Sequence, residues 1–158
     1  MIDVKHHGED VFVLRKVGSA AVANKVDFFS SPWAGVIKAV YAVFGVMGTD
    51  GTGSPTQDVI ADIKKNGTSI FSGAGKLNWT HANQVGTANT PSAASTYGAL
   101  TTNPTAVAKG DLIQLDITQI LNGTTPTQPT DLTVYVVLTR GNKSAPPVML
   151  TGQVDIND

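Results

Sequence analysis

The 158-residue chain contains no cysteine. That excludes a disulfide framework, a thiolate metal site and a thiol nucleophile, and leaves stability to packing or association. Glutamate is nearly missing as well, with Glu9 the sole example. Because the aspartates mostly open strands or fall on outward strand positions, hydrolysis by a pair of carboxylates has little to work with. Charged residues make up 15% of the chain, against a usual share of about 25%. Eleven Lys and Arg face twelve Asp and Glu, for a net charge of -1. Such a balance carries no electrostatic footprint of nucleic acid or of an anionic membrane. The most apolar stretch, "AGVIKAVYAVFGVMG" from Ala34 to Gly48, contains Lys38 and falls short of the roughly 20 residues of a membrane helix. The opening "MIDVKHHGED" lacks the succession of basic, apolar and small residues of a secretory signal, so the expectation is a protein that stays in the cell that makes it or leaves by lysis.

Thr, Ser, Asn, Gln and Gly stand in place of the missing charge. This is the usual exterior of an all-β protein, whose strands turn Thr outward and whose turns use Gly and Asn. The length fits one domain, read here as residues 11–158 behind an N-terminal arm of residues 1–10. "VFVLRKV" (Val11 to Val17) reads as a strand. "AAVANKVDFF" brings Val22, Val26 and Phe28 to one parity, with Asn24 the exception. Pro32 and Gly35 break the chain before Val36 to Met47, where β-branched and aromatic residues favour a strand over a helix. After the Gly-rich connection Gly48 to Gln57, "DVIADIKK" alternates Val59, Ala61 and Ile63 against Asp58, Ile60, Asp62 and Lys64. Asn66-Gly67 is a type I′ turn signal, which makes "DIKKNGTSIF" a hairpin.

Leu77 and Trp79 precede some thirty residues rich in Ala, Thr, Asn, Ser and Gly, in which "AASTYGAL" is the expected local element. "DLIQLDITQI" turns Ile113, Leu115 and Ile117 inward, and "DLTVYVVLTR" does the same with Leu132, Val134, Val136 and Leu138. Asp58, Asp62 and Asp116 are expected on the surface. A last strand from Val148, pairing with the N-terminal segment, completes about eight strands and points to an antiparallel β-sandwich of the jelly-roll kind.

Sites for chemistry are scarce. His6, His7, Glu9 and Asp10 are consecutive in a terminus, and His81 is the one further imidazole. A solvated tail is the expectation there, not a metal site. The "GTDGTG" loop supplies only Asp50, with Asp58 beyond Pro55, too few acidic ligands for Ca²⁺. It also lacks the Lys-Ser/Thr of a phosphate loop. No serine stands on a nucleophile elbow. The reading is therefore no enzyme, no metal and no cofactor. Trp33, Trp79, Tyr97 and Tyr135 are either core and subunit-interface aromatics or, for Trp79 and Tyr97 above all, a stacking platform for sugar rings.

Three stretches carry a resemblance. "PWAGVIKAVYAVFGVMGTDGTGSPTQDVIADIKKNGTSIF", "NPTAVAKGDLIQLDITQI" and "DLTVYVVLTR" resemble the jelly-roll surface proteins of tailed bacteriophage virions. Asp62, Ile63, Asn66, Gly67 and Thr68 match the hairpin, and Lys109, Gly110 and Asp111 match the turn that opens the later strand. The likeness spans about two thirds of the chain, and its matched residues are structural. It implies a capsid decoration (cement) protein. Such a protein is made in the host cytoplasm, binds the outside of the head as a homotrimer and clamps the major capsid protein without catalysis. Ile2, Val4, Val11, Phe12 and Trp33 are the expected capsid or subunit contacts. The competing expectation is a receptor- or carbohydrate-binding jelly-roll head of a tail fibre or spike, acting through Trp79 and Tyr97.

Overall fold

We describe the computed structural model over residues 8–46, 48–49, 57–71, 75–79 and 105–140. They form strands β1 (Glu9–Ser19), β2 (Ala23–Ser30), β3 (Gly35–Val46), β4 (Val59–Lys65), β5 (Thr68–Ser69), β6 (Leu77–Trp79), β7 (Thr105–Val107), β8 (Leu112–Gln119) and β9 (Thr130–Arg140), with no helix among the described residues. One sheet has the order β1-β9-β3-β7, the other β2-β8-β4-β5 with β6 also on β4, and every pairing is antiparallel. β5 pairs with Lys64 and Lys65 and β6 with Val59 to Ala61, so the two lie at opposite ends of one edge of β4. Taken as halves of an interrupted strand, they leave two interlocked four-strand sheets between which the chain crosses at most connections. This is the all-β, jelly-roll-like sandwich expected from the sequence.

The core fills the space between the sheets. β9 contributes Leu132, Val134, Val136 and Leu138, β3 contributes Ile37, Val40, Ala42 and Phe44, and β8 contributes Ile113, Leu115 and Ile117, all buried. The Val36 to Met47 run is a strand over its described length, because its β-branched and aromatic side chains suit a pleated surface packed on both sides. Gly35 opens it at a close approach, where a Cβ would collide with the Thr139 carbonyl oxygen. β7 was not expected, since three residues are too few to show a period. The last strand from Val148 and the "AASTYGAL" element lie outside the described residues.

The hairpin at Asn66-Gly67 forms as expected, with φ of 50° and 86°. Its asparagine does more than turn the chain. Asn66 Oδ1 accepts from Leu112 N at 2.8 Å, and its Nδ2 donates to Asp111 Oδ1 at 2.8 Å. Asp111 Oδ2 in turn accepts from Ala108 N at 2.8 Å. The Asn-Gly turn and the Lys-Gly-Asp turn therefore clasp one another. The bond from Ala108 N, with that from Asn66, holds the Asp111 carboxyl below its usual range.

Two expectations of the alternation fail. Val22, just before β2, and Phe28 within it stand exposed while Val26 and Phe29 pack on the core, so no single parity runs through the stretch. The cause is local: Lys25 has φ of 51° and the register on β8 shifts between Ala23 and Asp27. The second failure concerns the acids. Asp62 and Asp116 are not surface residues but are buried, at 1% and 0% exposure, and sit opposite one another across β4 and β8. Asp58 is half-buried and accepts from Asn78 Nδ2 at 3.1 Å.

Like charges directly opposite are destabilising, and lysines offset them here. Lys64 Nζ lies 2.6 Å from Asp116 Oδ2, and Lys76 Nζ lies 3.1 Å from Asp62 Oδ2. Ser69 Oγ donates to Asp62 at 2.7 Å, while Lys25 N and Gln114 Nε2 donate to Asp116 Oδ1 at 2.8 and 3.0 Å. Oδ2 of Asp116 receives no hydrogen bond of good angle, so the ion pair with Lys64 is what satisfies it. Burial pushes the Asp116 carboxyl up, but Lys64, the Lys25 N–H and Gln114 outweigh it and hold the group below the ordinary 3.8. The same contact with Asp116 raises the Lys64 ammonium above its ordinary 10.5, against the effect of desolvation.

Two predictions follow from these contacts. Asn66→Ala loses both clasp bonds and forces a Cβ-branching-free but still unfavourable residue into the left-handed region, lowering stability in urea unfolding by roughly 2 kcal/mol. Stability contributed by the Lys64–Asp116 pair is fully present between pH 3.8 and 10.5. It declines as pH falls through the lowered pKa of Asp116, and again as pH rises through the raised pKa of Lys64. Lys64→Met, which strands a buried carboxylate, costs roughly 2 kcal/mol, below the usual range for a broken buried pair because the lysine side chain is 25% exposed. It also removes the Lys64 contribution to the alkaline limb of a thermal-unfolding pH series.

Candidate interaction surface

An antiparallel sheet packed on one face normally presents polar residues on the other. The outer face of the β1-β9-β3-β7 sheet does not. Register places Val11, Val137 and Ala39 in one row across β1, β9 and β3, then Val13, Tyr135 and Tyr41 in a second, and Arg15, Thr133 and Val43 in a third. The residues between these rows point into the core. Tyr41 and Tyr135 stack with ring centroids 4.7 Å apart and planes at 15°. Val11, Val13 and Val17 are 51%, 42% and 78% exposed. Contiguous apolar and aromatic surface of this kind is uncommon on a face turned to water.

Apart from Arg15 on the edge strand β1, charge lies at the ends of the face. At the end where β1 begins, Lys38 Nζ pairs with Glu9 Oε1, and Arg140 Nε donates to Asp10 Oδ2 at 3.3 Å. At the other end Asp131 Oδ1 accepts from Gly18 N at 2.9 Å, where β1 shifts register on β9. That bond, with one from Thr130, holds the Asp131 carboxyl below its usual range. Among the described residues the three rows of the face carry no carboxylate.

The expected contact residues separate. Val11 is on the outer face and half exposed. Phe12, its neighbour in sequence, points the other way and stacks on Phe29 at 4.4 Å, with Trp33 at 5.8 Å. The Arg140 guanidinium lies 3.9 Å from the Trp33 ring centroid. Phe12 and Trp33 thus help close one seam between the two sheets within this chain. Ile2, Val4 and Tyr97 lie outside the described residues. Trp79 is 4% exposed and meets Phe44 edge to face at 4.7 Å, so its ring is enclosed by the core and offers no platform for a sugar.

Tyr41, Val13, Val43 and Val137 were not singled out from the sequence as contacts, whereas Tyr135 was among the aromatics expected in the core, at a subunit interface or under a sugar. The signal was present: β1, β3 and β9 carry apolar residues at both parities, the pattern of strands covered on both faces. Elsewhere, an open cleft of about 500 Å³ lies on the other sheet beside Lys25, Lys64, Asn66, Gln114 and Asp116. Among the described residues no group of three or more His, Cys, Asp or Glu is placed to hold a metal ion.

No family model matches the chain, and no curated protein matches it in sequence. Among solved structures, a chain of the cyanophage Pam1 capsid asymmetric unit superposes with a TM-score of 0.38 at 17% identity, over 85% of this chain and 88% of that one. The superposition is loose and assigns no role.

Proposed function

We propose that this chain is a structural protein of a bacteriophage virion, a decoration or cement protein that coats the outside of the head as a homotrimer and stabilises the shell by contact with the major capsid protein. The observation that carries the reading is the apolar outer face of the four-stranded sheet, centred on Val13, Tyr135 and Tyr41. It is supported by the mutual clasp of the two turns through which the sequence resembles phage jelly-roll surface proteins. A protein in that role needs rigidity and adhesive area, and a near-neutral β-sandwich with an apolar outer face supplies both. In an oligomer the buried face also contributes to stability by mass action. The competing reading, a carbohydrate-binding fibre head, loses Trp79 to the core.

The test is to place charge on the face at positions that the fold does not bury. Val11→Asp with Val13→Asp, both on an exposed strand, is expected to leave the thermal transition within a few degrees of the native one. Self-association in light scattering and occupancy on expanded heads should each fall at least about tenfold, since a carboxylate in a desolvated apolar contact is strongly disfavoured. A variant that remains oligomeric and coats heads fully would remove this face from the interface.

A further inference from the structure

β1 is an edge strand of regular register. In antiparallel pairs, residues that exchange backbone bonds alternate with residues whose N–H and C=O point away from the partner. Arg140 N donates to Gly8 O at 2.8 Å, which fixes the phase. The register, unbroken from Glu9 to Lys16, then turns the backbone groups of Glu9, Val11, Val13 and Arg15 away from β9. The Arg15 N–H confirms the direction, because it donates to Asp27 Oδ2 on β2 at 2.7 Å. Asp27 thus closes the edge at one end, while no described residue takes the amides of Val11 and Val13. An apolar edge left unpaired is a template for another strand. Along that edge the outward positions read acid, valine, valine, base, and all share the outer face of the sheet.

We propose that a second copy of this chain fills the edge, β1 against β1 in antiparallel, about a twofold axis through Phe12. Phe12 is the midpoint of Glu9 to Arg15. Pairing about it sets Val11 opposite Val13 of the second copy and Glu9 opposite Arg15 of the second copy, and the axis repeats both pairs, as an isologous contact requires. Each Val11 then exchanges backbone bonds with the Val13 it faces, which satisfies the outward groups of both. Charge selects this register. Arg15 has no ion-pair partner among the described residues, and Glu9, paired with Lys38 of its own chain, is half exposed. Opposite charges directly across a strand pair stabilise it. The alternation of backbone bonds allows slips only in steps of two, and one such step either way sets Glu9 opposite Val13 or Val17 and separates it from Arg15. The contact also continues the apolar face, because the row of Ala39, Val137 and Val11 runs on into Val13, Tyr135 and Tyr41 of the second copy. This inference goes beyond the coating role and does not depend on it. A threefold contact through the face uses side chains, the twofold contact uses the backbone of the edge, and together they join one trimer to the next.

The experiment is amide hydrogen exchange of the full chain by NMR at low ionic strength, read at Val11 and Val13, with the Phe12 amide on the β9 side as the control for an intact sheet. Both valine amides are expected to exchange at least about tenfold slower than exposed amides, although no described strand bonds to them. Glu9→Arg sets arginine against arginine at each end of the contact, and Arg15→Glu sets glutamate against glutamate. Either variant alone should lose the protection at Val11 and Val13, exchanging at least about tenfold faster than the native chain while Phe12 stays protected. Mixing isotope-labelled Glu9→Arg with unlabelled Arg15→Glu makes every pair complementary again, and protection should return to the labelled chain. Fast exchange of both valines in the native chain overturns the proposal. So does protection that survives in either single variant, because something other than this pairing then covers the edge, and so does a mixture in which protection fails to return. Both substitutions leave the apolar side chains of the face in place, so the result is separate from that of Val11→Asp with Val13→Asp.

Discussion

The inner row of β9 is the constraint on which the rest depends. Leu132, Val134, Val136 and Leu138 are buried at 1% exposure or less, in the strand that sits between β1 and β3. A slip of one residue would exchange that row for Thr133, Tyr135, Val137 and Thr139 and put hydroxyls into the core. Register on both neighbours is therefore fixed by burial, and the outer rows come with it. Tyr135 meets Tyr41, and Val137 meets Val11, as a consequence of packing on the opposite side of the sheet. The outer face thus takes its register from the core beneath it, which suits the proposed role of holding neighbours at fixed spacing.

The two sheets solve the outer-face problem in opposite ways. The β1-β9-β3-β7 sheet leaves apolar side chains outside. The other sheet buries Asp62 and Asp116 there, neutralised by Lys64 and Lys76. Buried ion pairs of this kind contribute little net stability compared with apolar residues of the same volume, while losing one member is costly. The Lys64–Asp116 pair restricts how β4 and β8 can pair, because any other register separates that carboxylate from its lysine. The clasp of Asn66 on Asp111 and Leu112 restricts the same pair of strands at its end.

Much of this fold was legible because period-two alternation and turn chemistry are local. The Ile113, Leu115 and Ile117 row, the β9 row and the Asn66-Gly67 turn could each be read from a dozen residues. Alternation says which side chains share a face, but not what covers that face. That is why Asp62 and Asp116 read as surface: Asp62 is met by Ser69 and Lys76 and Asp116 by Lys25 and Lys64, all from other stretches of chain. The parity of β2 failed because Lys25 adopts a left-handed conformation without being glycine, which no composition rule flags. Of the candidate contact residues, Val11 stands exposed on the outer face while Phe12, one position on, turns to the seam between the sheets. The tyrosine row needed the β1-β9-β3 strand order, which connects residues far apart in sequence.

That strand order has a consequence for synthesis on the ribosome. Among the described strands β1 is made first and its partner β9 last, and the Asp10–Arg140 contact that joins them spans 130 residues. At roughly 5–20 residues per second, the first strand waits on the order of ten seconds for the surface that will cover it. During that interval "VFVLRKV" offers apolar side chains on both faces and two open edges. The nascent chain is therefore a client for whatever holds extended apolar segments apart in the cell, and dense co-expression on a polysome would bring such segments from neighbouring chains together before any one of them could close.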